Sequence, residues 1–389
     1  EPASIIKKYT SLPVGAVGGI NSPEQVDQAI ADGKIDFAIF GRQMLADPDF
    51  TQKCMDGDEA QIRRCLRCYK CFPGSPEEGY DDLPFTSEQL AVYVGHCTIN
   101  PTAHLPFDVE QLPPAEKGPQ KVLIVGGGIA GIQAAITAAD RGHKVTLAEK
   151  SDKLGGLLYF TDVDIDKPDL RNFKDMMIRE VKRHDVEILM NTEVTPEFIK
   201  EFAPDAVILA TGSVPACPPI NGIEHAHQAM SVYDGTCEPG KKVVMIGGGL
   251  VGCETGLYLQ KTGHEVTVVE MLDRVANESF GMYREALVWE MEKNNMTMLP
   301  KTKCLEITPN SVKIENADGV QELEADTVLY ALGMKSVDYS ALKEAAGDAS
   351  VYVIGDAIHP GKVDQCTRTG YIAALKVGAS EESVAYIQE

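Results

Sequence analysis

Residues 121 to 150 read KVLIVGGGIAGIQAAITAADRGHKVTLAEK. Val122 to Val125 is a short apolar run, the pattern of a strand buried on both faces of a parallel sheet. Gly126, Gly128 and Gly131 follow at G-x-G-x-x-G spacing. The first glycine permits a tight turn, the second lets backbone approach a pyrophosphate, and the third packs helix on strand. The helix that starts there aims its first amides at the phosphates. Lys144 to Ala148 reads as the next strand. Glu149 closes it, where an acid can accept from ribose hydroxyls.

The unit occurs twice. Residues 242 to 271 read KVVMIGGGLVGCETGLYLQKTGHEVTVVEM, and a shift of 121 positions matches 11 of 30 residues. Gly247, Gly249, Gly252 and Glu270 repeat the glycines and the acid. Packing glycines in ordinary strand–helix turns do not explain two acids at matching positions. Two nucleotide sites are therefore expected. Glu270 would accept from a ribose 2′-hydroxyl and repel a 2′-phosphate, and Met271 follows where an NADP site often places Arg. NADH is expected at this site, with Arg274 near enough to keep NADPH open.

Two apolar segments, AVILATG (206–212) and TVLYALG (327–333), read as further strands ending in a glycine turn. Val351 to Asp356 is a strand closed by Gly355-Asp356, followed by a helix-like stretch from Thr369 to Val377. Asp356 can hold a ribityl hydroxyl, with a helix start near the flavin phosphate. The chain is expected to leave the first nucleotide domain near residue 232, build the second, and return near 345. The linker QLPPAEKGPQ (111–120) marks the start of this region.

Upstream, Cys65-Leu66-Arg67-Cys68-Tyr69-Lys70-Cys71 places three thiols at C-x2-C-x2-C spacing, and Cys97 is a distant fourth. Zinc sites usually carry a second C-x2-C knuckle or histidines. Three close cysteines plus one remote cysteine favour a [4Fe–4S] cluster. His96, beside Cys97, reads as a solvent-facing residue, or as one that tunes the cluster. Cys217, Cys237, Cys304 and Cys366 form no C-x-x-C pair, and Cys253 falls in the helix of the second fingerprint. All five are expected to be packed free thiols.

Composition bounds what remains. A chain of 389 residues suggests about two or three domains. A net charge of −22 argues against nucleic acid or an anionic membrane surface as partner. Without a leader or a membrane-spanning apolar stretch in the sequence, ten cysteines point to a reducing cytoplasm rather than a disulfide framework.

The series GGGIAG…E, Leu154-Gly155-Gly156, ATG, GGGLVG…E and GD resembles the two-dinucleotide-domain flavoprotein reductases. The resemblance implies FAD on Gly126, Gly128, Gly131, Glu149, Lys150, Gly156, Thr211, Gly212, Gly355 and Asp356. It implies NAD(P)H on Gly247, Gly249, Gly252 and Glu270. Residues 12 to 20 (LPVGAVGGI) and 35 to 42 (IDFAIFGR) read as strand–GG–helix–strand–GR. That pattern resembles the last two βα units of an old yellow enzyme-type TIM barrel, whose loops commonly bind phosphate. It implies FMN phosphate at Gly18, Gly19, Gly41 and Arg42.

The whole order resembles the 2,4-dienoyl-CoA reductase, trimethylamine dehydrogenase and enoate reductase group. In that group four cysteines, matched here by Cys65, Cys68, Cys71 and Cys97, hold a [4Fe–4S] cluster beside FMN. The insert between Phe72 and His96 is longer than the resemblance leads one to expect, which leaves Cys97 the loosest match. The expected fold is α/β. A barrel end (1–60) and a cluster segment (61–118) precede an FAD domain (119–232 and 345–389) that encloses an NAD(P)H domain (233–344). A barrel takes about 200 to 250 residues, so the sequence reads as a C-terminal portion. The catalytic acid and substrate pocket are expected in the missing barrel.

The resemblance implies electron flow from NAD(P)H through FAD and the cluster to FMN, reducing an activated C=C bond of an enoyl thioester, enoate or enone. The full-length enzyme is expected to be a homo-oligomer acting on a small unsaturated molecule. An amine dehydrogenase delivering electrons to a protein acceptor is the first alternative, which the intact second fingerprint disfavours. A reductase module serving a separate barrel is the other.

Overall fold

The computed structural model describes residues 2–71, 96–103, 115–279 and 281–380. Its centre is a five-stranded parallel sheet in the order Ser350–Val353, Ala206–Leu209, Lys121–Val125, Lys144–Ala148, Val186–Leu189. The strands are apolar because both faces are covered, and Leu123, Ile124, Leu147, Ile208 and Leu209 have no or almost no exposure. Helix Ile129–Asp140 is buried on every side. A helix apolar all round belongs between two layers. Here it lies between the sheet and the C-terminal helix Val363–Lys376. Phe173, Met176 and Met177 of helix Pro168–Val181 fill the same core.

A second five-stranded parallel sheet repeats the plan in the order Thr297–Leu299, Glu265–Val269, Lys242–Ile246, Thr327–Tyr330, Ala226–Gln228. The two registers are related by the offset seen in the sequence. Val122 pairs with Val145 and Ala206 in the first sheet; Val243 pairs with Val266 and Thr327 in the second. An antiparallel three-stranded sheet (Lys303–Ile307, Ser311–Asn316, Gly319–Glu324) covers one face, burying Ile307, Val312 and Ile314 against Val244, Ile246 and Val328. The chain crosses between the two units on an antiparallel strand pair, Ser213–Pro215 with Met334–Ser336. Beyond the return strand, Leu342, Ala345 and Ala346 already pack in the core of the first unit.

At the N-terminus, Gly15–Val17 and Phe37–Ile39 are parallel neighbours joined by helix Pro23–Ala31. Ser22 caps that helix by accepting from Gln25 N at 3.4 Å, and Pro23 occupies its first position. Among the described residues these strands form one βαβ unit rather than a barrel. Val17, Phe37 and Ile39 are exposed at 71%, 44% and 50%, so the unit leaves apolar surface uncovered.

Two sequence expectations are corrected here. Cys217 is exposed rather than packed. The C-terminal helix begins at Val363, not Thr369. The polar run Asp364-Gln365-Cys366-Thr367-Arg368 disguises its first turns, yet Thr367 is fully buried. Among the described residues, no helix is long and apolar enough to cross a membrane.

The contact between the two long helices of the first unit depends on Gly370, where an added Cβ would stand 2.4 Å from the Ala130 carbonyl oxygen. Gly370→Ala is expected to cost about 1–3 kcal/mol through overpacking. Thermal unfolding followed by circular dichroism checks this, and an unchanged midpoint would contradict the packing described.

Candidate cofactor sites

The first fingerprint turns on glycines whose backbone leaves no room for a Cβ at Gly126 and Gly131. Gly126 has φ +110°, and a Cβ there would lie 2.3 Å from Ala210 O; at Gly131 a Cβ would lie 1.9 Å from Gly126 O. Glu149 is buried. Its Oε2 accepts from Gly127 N at 2.7 Å, and its Oε1 accepts from Ser151 N and Ser151 Oγ at 2.8 Å each. Sequence reasoning passed over Gly127, where a Cβ would meet Leu154 Cδ2 at 2.5 Å and Glu149 Cβ at 3.1 Å. The middle glycine of the GGG run therefore admits the acid.

Leu154-Gly155-Gly156 closes over the turn. Gly155 N donates to Gly127 O at 2.8 Å, and a Cβ on Gly156 would stand 2.9 Å from Gly128 Cα. Thr211 Oγ1 is buried without a hydrogen-bond partner, and Gly212, at φ +74°, faces open space. Asp356 accepts from Ser213 Oγ at 2.8 Å and Gly361 N at 3.1 Å. These groups all lie beyond the carboxyl ends of parallel strands, where ligands of open α/β sheets bind. A side-chain-free cradle, an orphaned hydroxyl and two acids fit an FAD. Lys150 is exposed beside Glu149.

The second fingerprint copies this construction. Gly247 has φ +99°, and a Cβ would meet Ala331 O at 2.4 Å; a Cβ on Gly252 would meet Gly247 O at 2.0 Å. Glu270 is buried, accepting from Gly248 N at 2.7 Å and Leu272 N at 2.8 Å. Met271 is 72% exposed, and Arg274 Nε donates to Asn277 Oδ1 at 2.5 Å.

The cysteine loop is curled by two left-handed non-glycine residues, Arg67 at φ +55° and Tyr69 at φ +61°. Such conformations cost free energy and cluster at functional sites. The thiols of Cys65, Cys68 and Cys71 are partly buried there. Burial raises the pKa of Cys65, and raises that of Cys71 with help from the neighbouring Cys65 and Cys68. Burial, with a smaller push from Cys68 and Cys65, moves Cys97 up to about 11. The nearby backbone of Ile99 and Asn100 opposes that rise. Arg67 N donates to Cys65 Sγ at 3.4 Å, and Cys68 Sγ lies 3.1 Å from Thr98 Oγ1.

Among the described residues no three Cys, His, Asp or Glu side chains converge as a single metal ion requires. The four thiols are partly buried and near enough to influence one another's titration, a donor set of the kind that holds an iron–sulfur cluster. Residues 72–95 lie outside the described residues, and with them the long insert.

Buried amides hold this loop in place. Gln43 Oε1 accepts from Cys65 N at 2.9 Å, Asn21 Nδ2 donates to Cys65 O at 3.0 Å, and Asn100 Nδ2 donates to Leu45 O at 2.8 Å. On the other side Arg67 pairs with Asp169, and Lys70 with Asp364 at 2.9 Å. Thr367 Oγ1 donates to Thr98 O at 2.8 Å, and Arg368 Nη1 lies 3.2 Å from His96 Nδ1. His96 is thus half-buried against the C-terminal helix rather than facing solvent. Sequence reasoning missed Asn21, Gln43, Thr98 and Thr367, because their partners are distant in the chain.

Gly18 and Gly19 take φ +105° and +69°, and nothing lies within 4 Å of a Cβ built on Gly18 or Gly41. The Arg42 guanidinium stacks 4.7 Å from the Tyr69 ring centroid, and its buried Nη1 has no hydrogen-bond partner. An open glycine rim beside an unsatisfied guanidinium nitrogen fits a phosphate.

Paired parallel sheets with matching ribose acids define a flavoprotein reductase built from two dinucleotide-binding domains. Residues 120–370 match the pyridine nucleotide-disulphide oxidoreductase family, and the chain belongs to it. Residues 1–61 match the NADH:flavin oxidoreductase / NADH oxidase family. The chain is 36% identical over 388 residues to the NADH oxidase of Thermoanaerobacter brockii, covering 96% of this chain and 57% of that protein. It is 39% identical over 267 residues to the cinnamate reductase of Clostridium sporogenes, covering 69% of this chain and 38% of that one. A solved 2-naphthoyl-CoA reductase superposes with a TM-score of 0.86 at 30% identity, over 96% of this chain and 56% of its own. The chain thus spans little more than half the length of such relatives. These similarities agree with the group named from the sequence.

Gly127→Ala is expected to displace Glu149 and to leave the purified protein with little of its FAD. Flavin released on denaturation and measured against protein checks this. A full complement of flavin would show that the Glu149 contact does not shape the site.

Proposed function

We propose that this chain is the electron-input portion of an NAD(P)H-dependent flavin and iron–sulfur oxidoreductase that reduces an activated C=C bond. One observation carries the proposal: the cysteine loop is fastened on both sides. Arg42, of the proposed FMN-phosphate site, stacks on Tyr69, and Lys70 pairs with Asp364 on the helix that follows Gly355-Asp356. When bound, the carriers would supply hydride acceptance from nicotinamide and single-electron relay to a second flavin.

The protein's part is position. Glu270, held by Gly248 N and Leu272 N, presents a carboxylate to a ribose, and exposed Met271 offers no cation for a 2′-phosphate. Glu149 and Asp356 would hold the ends of FAD. Cys65, Cys68, Cys71 and Cys97 would hold the cluster, with the amide of Arg67 directed at the Cys65 sulfur. Small unsaturated carbonyl compounds are the proposed substrate class, as the names of the cinnamate and naphthoyl-CoA reductases suggest. The substrate pocket and proton donor would belong to a barrel completed by residues beyond this chain.

Two measurements test the reading. Under anaerobic conditions NADH is expected to bleach flavin and broad iron–sulfur absorbance together, and Cys97→Ala to lose most of its iron while retaining FAD. A zinc protein that does not bleach would refute it. NADH is expected to exceed NADPH by about tenfold or more in kcat/KM for ferricyanide reduction, given the acid at the ribose; a preference for NADPH would overturn the role of Glu270.

A further inference from the structure

The two fingerprints share their glycine contacts and the bond to the acid, and they differ at the start of the helix. In the first, a Cβ on Gly128 would meet only Gly156 Cα, at 3.9 Å. In the second, the equivalent Gly249 faces a carboxylate: its Cβ would lie 2.9 Å from Glu278 Oε1. That same oxygen accepts from Leu250 N, an amide at the start of the twelve-residue helix Leu250–Lys261. Helix N-termini attract anions through free amides and the aligned peptide dipoles. At a G-x-G-x-x-G turn the anion bound there is normally the dinucleotide pyrophosphate. Here the protein's own carboxylate stands in that place.

Main-chain bonds deliver it. Ala276 N donates to Gly248 O at 2.7 Å, which fixes the loop to the glycine turn. Lys362 Nζ donates to Glu278 O at 2.9 Å, so the loop is also held by the residue that precedes the C-terminal helix. Glu278 itself is exposed. Its side chain can swing into water without moving the loop, but its charge then stays near the arriving phosphates.

We propose that Glu278 is a built-in competitor for the nucleotide pyrophosphate at the second fingerprint, vacating Leu250 N when NAD(P)H binds and weakening that binding. The inference rests on the second fingerprint being the NAD(P)H site. It makes the affinity of that site tunable by one side chain and sensitive to ionic strength, because the repulsion on a half-solvated site is screened by salt.

The test is NADH affinity of the purified protein by fluorescence titration, at low and at high salt. Glu278→Gln keeps a neutral acceptor and removes the charge. It is expected to bind NADH about threefold to tenfold more tightly at low salt, with a smaller gain at high salt. Glu315→Gln, on the antiparallel sheet, removes the same charge elsewhere and is expected to leave affinity unchanged. Equal or weaker binding by Glu278→Gln, or an equal gain in Glu315→Gln, overturns the inference while the site assignment stands. If no form binds NADH, the site assignment fails and the inference falls with it.

Discussion

A glutamate accepting from a glycine amide organises each nucleotide unit: Glu149 on Gly127 N and Glu270 on Gly248 N, both at 2.7 Å. The contact needs a turn with no Cβ, a strand that delivers the acid to the same height, and burial that strengthens the bond. Each requirement reaches outward. The turn sets where the helix begins, the strand fixes the sheet register, and the first unit's helix, buried along nearly its whole length, needs a second cover. The first unit meets the last demand with the C-terminal helix, which closes on Ala130 through Gly370.

That closure is what ties the nucleotide units to the cysteines. The C-terminal helix carries Asp364, Thr367 and Arg368 on the side where Lys70, Thr98 and His96 stand. The N-terminal segment grips the opposite side through Asn21 of the βαβ unit and Gln43 of the short helix Arg42–Ala46 that follows it. A loop with two left-handed residues survives because so many bonds over-determine it. The cysteine loop is therefore held between the N-terminal segment and the C-terminal helix, the placement on which the proposed electron relay rests.

Much of this was legible in the sequence, and the reason is steric. Glycines forced by backbone contact at 1.9 to 2.4 Å leave few alternatives, so Gly126, Gly131, Gly247 and Gly252 mark their turns unambiguously. The acids could be placed because they follow a strand of known length. Gly127 and Gly248 were hidden inside GGG runs, where spacing does not show which glycine faces the acid. The left-handed Arg67 and Tyr69 carry no residue signal, since neither is glycine or asparagine. The first turns of the C-terminal helix looked like a loop because their apolar contacts are made by threonine and cysteine. Glu278 has no sequence signature: only the fold brings it to Leu250 N.

The central claim is that Cys65, Cys68, Cys71 and Cys97 hold an iron–sulfur cluster between two flavin sites. The most direct measurement is anomalous diffraction from crystals of the anaerobically purified protein, collected on either side of the iron absorption edge. The account predicts a compact iron peak enclosed by these four sulfurs. A zinc signal there, or iron density bounded by other residues, would contradict it.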